Sequence, residues 1–351
     1  VPKYRRGEDG FLDDQKHRKQ VSRKGAKRSV ETRARFLSAE ESNATVAEVF
    51  PNQCRIRWDE AHVAPGAPRE VLAAYRRATV LRKGEALRER APVAVGDRVK
   101  AERVGDTAIV AGLCERRNRL LRPAPEREAV VHVIVANVDR LAIVDSAMQP
   151  DFSPGLVDRI LVAAAAQGID PLIVVNKMDL WQGKDEPAPW QMYRDLGFEV
   201  VEVCAKEGRP GFSALSTLQE KLQGLCVAFC GHSGVGKTSL LNTLTGGQVG
   251  EEGTVSDVTG KGRHTTSSAV LLDGPGEGTL WIDTPGVREF GLSDVDPDRL
   301  HEFFPEFSQP QSLGCVQADC RHSEEEGCGA HGLARYGSYR RIRDSLLSGE
   351  G

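Results

Sequence analysis

Residues 231–240 read GHSGVGKTSL, directly after the apolar run LCVAFC (225–230) and at the head of the helix-like stretch KTSLLNTLTG (237–246). The spacing G-x-x-x-x-G-K-[ST] between a strand and a helix is that of a phosphate-binding loop. Gly231, Gly234 and Gly236 allow the backbone to curl until its N–H groups face inward. The helix N-terminus that follows adds partial positive charge. Lys237 is placed to reach the terminal phosphates of a nucleotide, and Thr238 offers a hydroxyl to Mg2+. The bland alternative is a glycine turn with an exposed lysine.

Working outward, NKMD (176–179) follows the strand-like PLIVV (171–175), and CAK (204–206) follows FEVVEV (198–203). In N-K-x-D the Asp179 carboxylate can accept two hydrogen bonds from the guanine N1–H and 2-amino group. Adenine offers no such pair, so a buried acceptor built this way rejects it. Asn176 is expected to contact the base and brace the phosphate loop. The Lys177 stem is expected to cover the ring, and the Ala205 N–H to meet the guanine O6. DTPG (283–286) follows TLWID (279–283), placing Asp283 to hold the metal through a water and the Gly286 N–H at the γ-phosphate. GRHTT (262–266) offers either Thr265 or Thr266 to complete the Mg2+ shell.

The expected GTP-binding set is therefore Asn176, Lys177, Met178, Asp179, Cys204, Ala205, Lys206, Gly231, His232, Ser233, Gly234, Val235, Gly236, Lys237, Thr238, Ser239, Asp283 and Gly286. Thr238, Asp283 and the Thr265/Thr266 pair are the expected Mg2+ ligands. Lys237, Thr265 and Thr266 join the catalytic set, with His264 as the group that positions water; the alternative for His264 is an ordinary loop histidine. Val287 stands where Ras-like enzymes carry a water-orienting Gln, so intrinsic hydrolysis should be slow. Residues 247–264 are glycine-rich and lack periodicity, which suits a switch segment.

These motifs run in the order NKMD, CAK, phosphate loop, threonine switch, DTPG, whereas a Ras-like chain has the last three first. The expectation is a Ras-like α/β sheet cut between its second switch and the strand at 139–145, a tolerable cut because domain termini lie at the surface. The second switch, VREFGLSD (287–294), then runs straight into the C-terminal region, giving the γ-phosphate a short covalent path to it.

Around this core the composition shifts. The chain has 351 residues, long enough for two or three domains. Residues 1–122 hold 28 Lys/Arg against 17 Asp/Glu, a net of +11, and the remainder has a net of −14. A basic third suggests a polyanionic partner, against the alternative of a solvated tail. Residues 1–42, with twelve Lys/Arg, read as a basic flexible arm. Residues 43–122 read as five short strands, ATVAEVF, QCRIRW, RATVLRK, DRVKAERV and TAIVAGL, suiting an OB-type β-barrel or another small all-β module. Arginines 116–122 followed by Pro123 and Pro125 read as a linker, residues 123–295 as the permuted GTPase domain and 296–351 as a zinc-binding α domain. There Cys315, Cys320, His322 and Cys328 give C-x4-C-x-H-x5-C, a closed ligand set for one structural Zn2+, with His331 as a competitor to His322. The other five cysteines read as small buried hydrophobes. No run of about 18 apolar residues suggests a membrane span. The opening VPKYRRGEDG lacks the apolar core of a secretory signal. A cytoplasmic monomer is expected.

With NKMDL (176–180), GHSGVGKTSL (231–240), GRHTT (262–266), DTPGVREFGL (283–292) and the cysteine–histidine spacing together, the chain resembles the RsgA/YjeQ family of circularly permuted GTPases over roughly residues 43–345. The resemblance implies an OB-fold, a permuted GTPase domain and a zinc domain. It also implies a role in late maturation of the small ribosomal subunit through binding to that subunit and its rRNA, with GTP hydrolysis stimulated there. His232 and Thr238 depart from the Gln and Ser common in the family, and Cys204 from the Ser common in GTPases. Competing expectations are a GTP-gated RNA-binding assembly module with incidental hydrolysis, and a small-molecule kinase, which NKMD with CAK disfavours.

Overall fold

The structure, a computed structural model, describes residues 37–75, 88–89, 93–123, 130–183, 187–247, 269–284, 290–307, 312–323 and 325–348. The basic arm, apart from its last residues, and most of the switch segment 247–264 lie outside the described residues.

Five strands with alternating burial form a closed barrel: β1 (Ala44–Phe50), β2 (Gln53–Trp58), β3 (Glu70–Tyr75), β5 (Arg98–Val104) and β6 (Thr107–Leu113). A two-residue strand, β4 (Arg88–Glu89), falls between β3 and β5. Every second residue points inward, so Ala44, Val46, Cys54, Ile56, Trp58, Val71, Ala73, Val99, Ala101, Ala108 and Val110 share one core. The ring runs β1-β2-β3-β6-β5 and closes through β1–β5; only β3–β6 is parallel. The third barrel strand differs from the expectation. It is EVLAAY at 70–75, and all but Arg88 and Glu89 of the stretch 76–92, including RATVLRK, lies outside the described residues.

The stretch read as a linker is also structured. Residues 119–123 form β7 (Arg119–Pro123), antiparallel to β8 (Val130–Ala136). Arg116, counted among the linker arginines, is buried and donates to Asp97, which is 0% exposed. A fully buried carboxylate needs such a partner, and here it fixes the barrel's exit.

The central sheet holds six strands among the described residues. Parallel strands β9 (Arg140–Ser146), β10 (Asp170–Asn176), β11 (Val200–Glu202), β12 (Cys226–Cys230) and β14 (Leu280–Asp283) join the antiparallel edge β13 (Val270–Asp273) in the order β11-β10-β9-β12-β14-β13. Their near-continuous apolar character follows from cover on both faces. Leu141, Ile143, Ile173, Val175, Ala228 and Ile282 face one core, which includes Val157, Ile160 and Leu161 of α1 (Pro154–Ala166). Ala142, Val144, Leu172, Val174, Val227 and Phe229 face the other, with α3 (Ala214–Leu222) and α4 (Lys237–Thr245). The short α2 (Gln191–Asp195) lies between β10 and β11 in the chain. The barrel and this sheet are continuous, because β1 pairs antiparallel with β13 at Glu48 and Val270. Arg57 reinforces that seam by donating to Glu70, Asp273 and the Leu271 carbonyl.

The C-terminal region consists of short 3-10 helices (Pro297–Phe303, Pro305–Phe307 and Gly329–Gly332) and α5 (Tyr336–Leu347). Its Phe304, Phe307, Tyr339 and Ile342 belong to the same core as α1. Arg335 locks the contact. Its Nε donates to Asp158 Oδ1 on α1 at 2.7 Å, its Nη1 donates to Glu306, and its guanidinium lies 4.5 Å from the Phe304 ring centroid. Asp158 and Arg335 side chains are each 1% exposed. Removing one partner of such a pair strands a buried charge at a cost of about 3–5 kcal/mol. Arg335→Ala is therefore expected to lower unfolding free energy by about that amount in chemical denaturation.

Candidate guanine-nucleotide site and metal centre

Parallel strands deliver their C-terminal ends to one edge of a sheet, where a crevice for ligands forms. Here β10 ends in Asn176, β12 in the loop 231–236 and β14 in Asp283. Motifs lying far apart and in inverted order are thereby brought into contact. Asn176 Nδ2 donates to the Val235 carbonyl at 3.0 Å, and the Lys177 ammonium donates to the Gly234 carbonyl at 2.6 Å. Asn176 is 2% exposed, and its Oδ1 accepts no hydrogen bond from any described residue, as expected of a group kept for a ligand or water.

The loop geometry explains its glycines. Gly231 has φ +155, and a Cβ there would fall 2.1 Å from the Val144 carbonyl oxygen. Gly236 has φ +87, and its Cβ would fall 2.6 Å from Asn176 Nδ2. Gly236 also caps α4, so Lys237 begins the helix and its backbone N–H groups open toward the loop. The Lys237 side chain is 8% exposed and its ammonium donates to the Asp283 carboxylate and the Thr284 carbonyl. Thr238 and Ser239 are exposed at the same helix start.

The NKMD and CAK motifs also meet. Asp179 accepts from the Cys204 thiol at 3.3 Å and from the Lys206 ammonium at 3.2 Å. Burial pushes its carboxyl pKa up, but these two donors outweigh that and hold it below the usual carboxylate range. Burial, with the Asp179 charge beside it, pushes the Cys204 thiol up, so it stays protonated and able to donate. Thr243 of α4 donates to the Ala205 carbonyl at 3.0 Å, tying the CAK loop to the phosphate-loop helix. Of the expected site residues, His264, Thr265, Thr266 and Gly286, with Val287 beside them, lie outside the described residues.

Sequence reasoning missed Asp145. It is the penultimate residue of β9, is 1% exposed, and accepts from the backbone N–H groups of Ser146 and Ser153. The following loop supports the site: the Gln149 carbonyl accepts from Lys177, and Pro150 lies against Gly234. The available signal was a carboxylate at the C-terminal end of an apolar parallel strand.

In the C-terminal region Cys315, Cys320, His322 and Cys328 have ligand atoms all within 4.8 Å of one another. His322 Nδ1 lies 3.6 Å from the Cys315 and Cys320 sulfurs and 3.4 Å from that of Cys328. Those separations match the edges of a tetrahedron with metal–sulfur bonds of about 2.3 Å and metal–nitrogen bonds of about 2.0 Å. His322 Nε2–H donates to the Phe307 carbonyl at 2.9 Å, which leaves Nδ1 as the ligand atom. Gly329 and Ala330 N–H groups donate to the sulfurs of Cys315 and Cys328. His331 is exposed and lies against Tyr336, outside the cluster.

A family model described as RsgA GTPase matches residues 113–293. The chain is 37% identical over 271 residues to the small ribosomal subunit biogenesis GTPase RsgA of Chlorobaculum tepidum, spanning 72% of this chain and 85% of that protein. Among solved structures, YjeQ from Thermotoga maritima superposes with a TM-score of 0.60 at 26% identity, covering 87% of this chain and 98% of that one. YloQ, a circularly permuted GTPase, superposes with a TM-score of 0.60 at 23% identity, covering 88% of this chain and 96% of that one, which is a likeness of fold.

The geometry around Gly236 yields a direct test. In Gly236→Ala the new methyl must displace the Asn176 amide, and the loop moves with it. Equilibrium binding of fluorescent GDP should weaken at least about tenfold, or 1.4 kcal/mol.

Proposed function

The chain belongs to the RsgA GTPase family, and on that premise we propose that this GTP hydrolase is a switch that binds the small ribosomal subunit and its rRNA and assists late maturation of the subunit. The observation that carries the reading is the contact of NKMD with the phosphate loop, Asn176 to Val235 and Lys177 to Gly234, despite their inverted order in the chain. One nucleotide can then be held by its base at Asp179 and by its phosphates at Lys237.

In this mechanism the residues position and neutralise charge. Asp179 reads guanine through N1–H and the 2-amino group, and the Ala205 N–H meets O6. The loop N–H groups from Gly231 to Lys237 cradle the phosphates. Lys237, which neutralises Asp283 in the present arrangement, moves its ammonium to the β- and γ-phosphates. That frees Asp283, which with the Thr238 hydroxyl and Thr265 or Thr266 would hold Mg2+, and the ion would supply charge neutralisation at the phosphates. The Gly286 N–H meets the γ-phosphate and His264 orients water. Subunit-stimulated turnover follows from the Val287 position, which carries no group able to orient water.

The described part of the second switch leads toward the C-terminal helix. The Phe290 carbonyl accepts from Arg159, which also donates to Ser345 on α5, and Gly291 N–H donates to the Leu121 carbonyl on β7. A change at the γ-phosphate is thus read by α5 and by the β7–β8 hairpin. Cys315, Cys320, His322 and Cys328 would hold one structural Zn2+ with no position left open for substrate. The barrel at 43–122, the basic arm at 1–42 and the zinc module at 296–351 would dock on folded RNA at several points, in a monomer acting in the cytoplasm. No described helix is long and apolar enough to cross a membrane.

Two measurements test this. Asp179→Ala should weaken GTP binding by about a hundredfold, the worth of two charge-assisted hydrogen bonds, while leaving the weak binding of ATP unchanged. Purified small ribosomal subunits should raise GTP turnover well above the intrinsic rate, and high salt should abolish the stimulation because phosphate contacts are lost. Turnover indifferent to subunits at low salt would refute the switch reading.

A further inference from the structure

Strand β9 stands between β10 and β12 in the central sheet. The loop that leaves its C-terminal end, residues 147–153, therefore emerges between the NKMD loop after β10 and the glycine loop after β12. It touches both. The Gln149 carbonyl accepts from the Lys177 ammonium, and the Ala147 N–H donates to the Asn176 carbonyl at 2.8 Å. On the other side Pro150 Cδ lies 3.6 Å from where a Gly234 Cβ would stand. The Lys177 ammonium also donates to the Gly234 carbonyl at 2.6 Å, so it joins the three loops at one point.

Two residues at this junction have left-handed backbone. Gln149 has φ +56 and Lys177 φ +61, conformations that residues other than glycine rarely adopt. Such residues persist where their surroundings over-determine them. One buried carboxylate supplies much of that constraint. Asp145 is 1% exposed, its Oδ1 accepts from the Ser146 N–H at 2.7 Å, and its Oδ2 accepts from the Ser153 N–H at 2.9 Å. A single side chain thus clips the loop at both ends. Inside the clip, Ser146 Oγ donates to the Pro150 carbonyl at 2.6 Å. The His232 ring nitrogen nearest Asp145, at 3.8 Å, lies beyond hydrogen-bonding distance.

We propose that Asp145 is a positioning residue for nucleotide binding: by clipping the loop at Ser146 and Ser153 it fixes the Gln149 carbonyl as a second seat for the Lys177 ammonium. The physical gain is preorganisation. A lysine side chain has four rotatable bonds, and ordering it at the moment of binding costs affinity. With its ammonium already seated on Gly234 and Gln149, the Lys177 stem is ordered before the base arrives to be covered by it. The clip is a matter of acceptor geometry and transfers no proton.

The inference rests on the guanine-nucleotide reading above, and its test separates the two. Equilibrium binding of fluorescent GDP is measured at one pH with excess Mg2+. Asp145→Asn keeps one acceptor but sets an amide donor against the other backbone N–H; it should weaken GDP by about tenfold. Ser146→Ala removes only the hydroxyl that holds the Pro150 carbonyl and should weaken GDP by about threefold. Lys177→Met keeps the stem and removes the ammonium. In that background each of the other two substitutions should change affinity by less than about twofold, because residues acting through one partner are not additive. A general loosening of the fold would instead leave both losses intact there. Asp145→Asn and Ser146→Ala chains that bind GDP as the native chain does overturn the proposal, and so do losses that persist in full beside Lys177→Met. If Asp145→Asn fails to fold, the Ser146→Ala and Lys177→Met cycle decides alone. Failure of the native chain to bind GDP overturns the nucleotide reading instead.

Discussion

The side-chain amide of Asn176 on two carbonyls of the phosphate loop, 3.0 Å from Val235 and 3.4 Å from Gly236, is the contact on which the rest of the site depends. It fixes the NKMD loop against the glycine loop at 231–236. It also makes the order of the motifs in the chain irrelevant to the ligand, because the parallel sheet brings β10 and β12 to the same edge whichever comes first. Permutation costs the site nothing as long as the strands stay adjacent. What it changes is the wiring of the ends. The second switch no longer leads into the middle of the GTPase but into a C-terminal module that is bolted to α1 by Arg335.

That wiring has two arms. On one side β13, which follows the threonine switch in the chain, is hydrogen-bonded to barrel strand β1, with Arg57 donating across the seam to Asp273 and Leu271. On the other side the residues after DTPG are held by Leu121 of β7 and by Arg159 of α1, which also reaches Ser345 of α5. The described residues that follow both proposed switch segments are therefore fastened to the regions that flank the GTPase. The buried Asp158–Arg335–Glu306 group makes the C-terminal joint rigid, since buried charges tolerate little separation from their partners. The cysteine–histidine cluster lies next to that joint, because His322 bonds the Phe307 carbonyl one residue from Glu306.

The central sheet, the glycine loop after β12 and the loops carrying NKMD and CAK were legible because each is a local pattern with a local cause. Apolar runs mark doubly covered strands, glycines mark backbone that must curl, and N-K-x-D marks a carboxylate for guanine. The clustering of Cys315, Cys320 and Cys328 was legible by spacing, although choosing His322 over His331 as their neighbour needed coordinates. The third barrel strand was misplaced because EVLAAY and RATVLRK are adjacent and similarly patterned, and only pairing with β2 and β6 selects the first. The strand β7 was hidden by its arginines, which read as a linker. Arg116 just before it is neutralised by Asp97, and Arg119 by Asp294, partners 19 and 175 residues away.

Sequence by itself determined the ligand class and the elements that carry it, because those depend on residue type at fixed short spacing. Tertiary structure alone decided which distant groups neutralise one another: Arg335 with Asp158, Arg57 with Asp273. The physical reason is that a charge is tolerated in the interior only where the fold delivers its counter-charge, and delivery across 177 or 216 positions leaves no periodic trace in the chain.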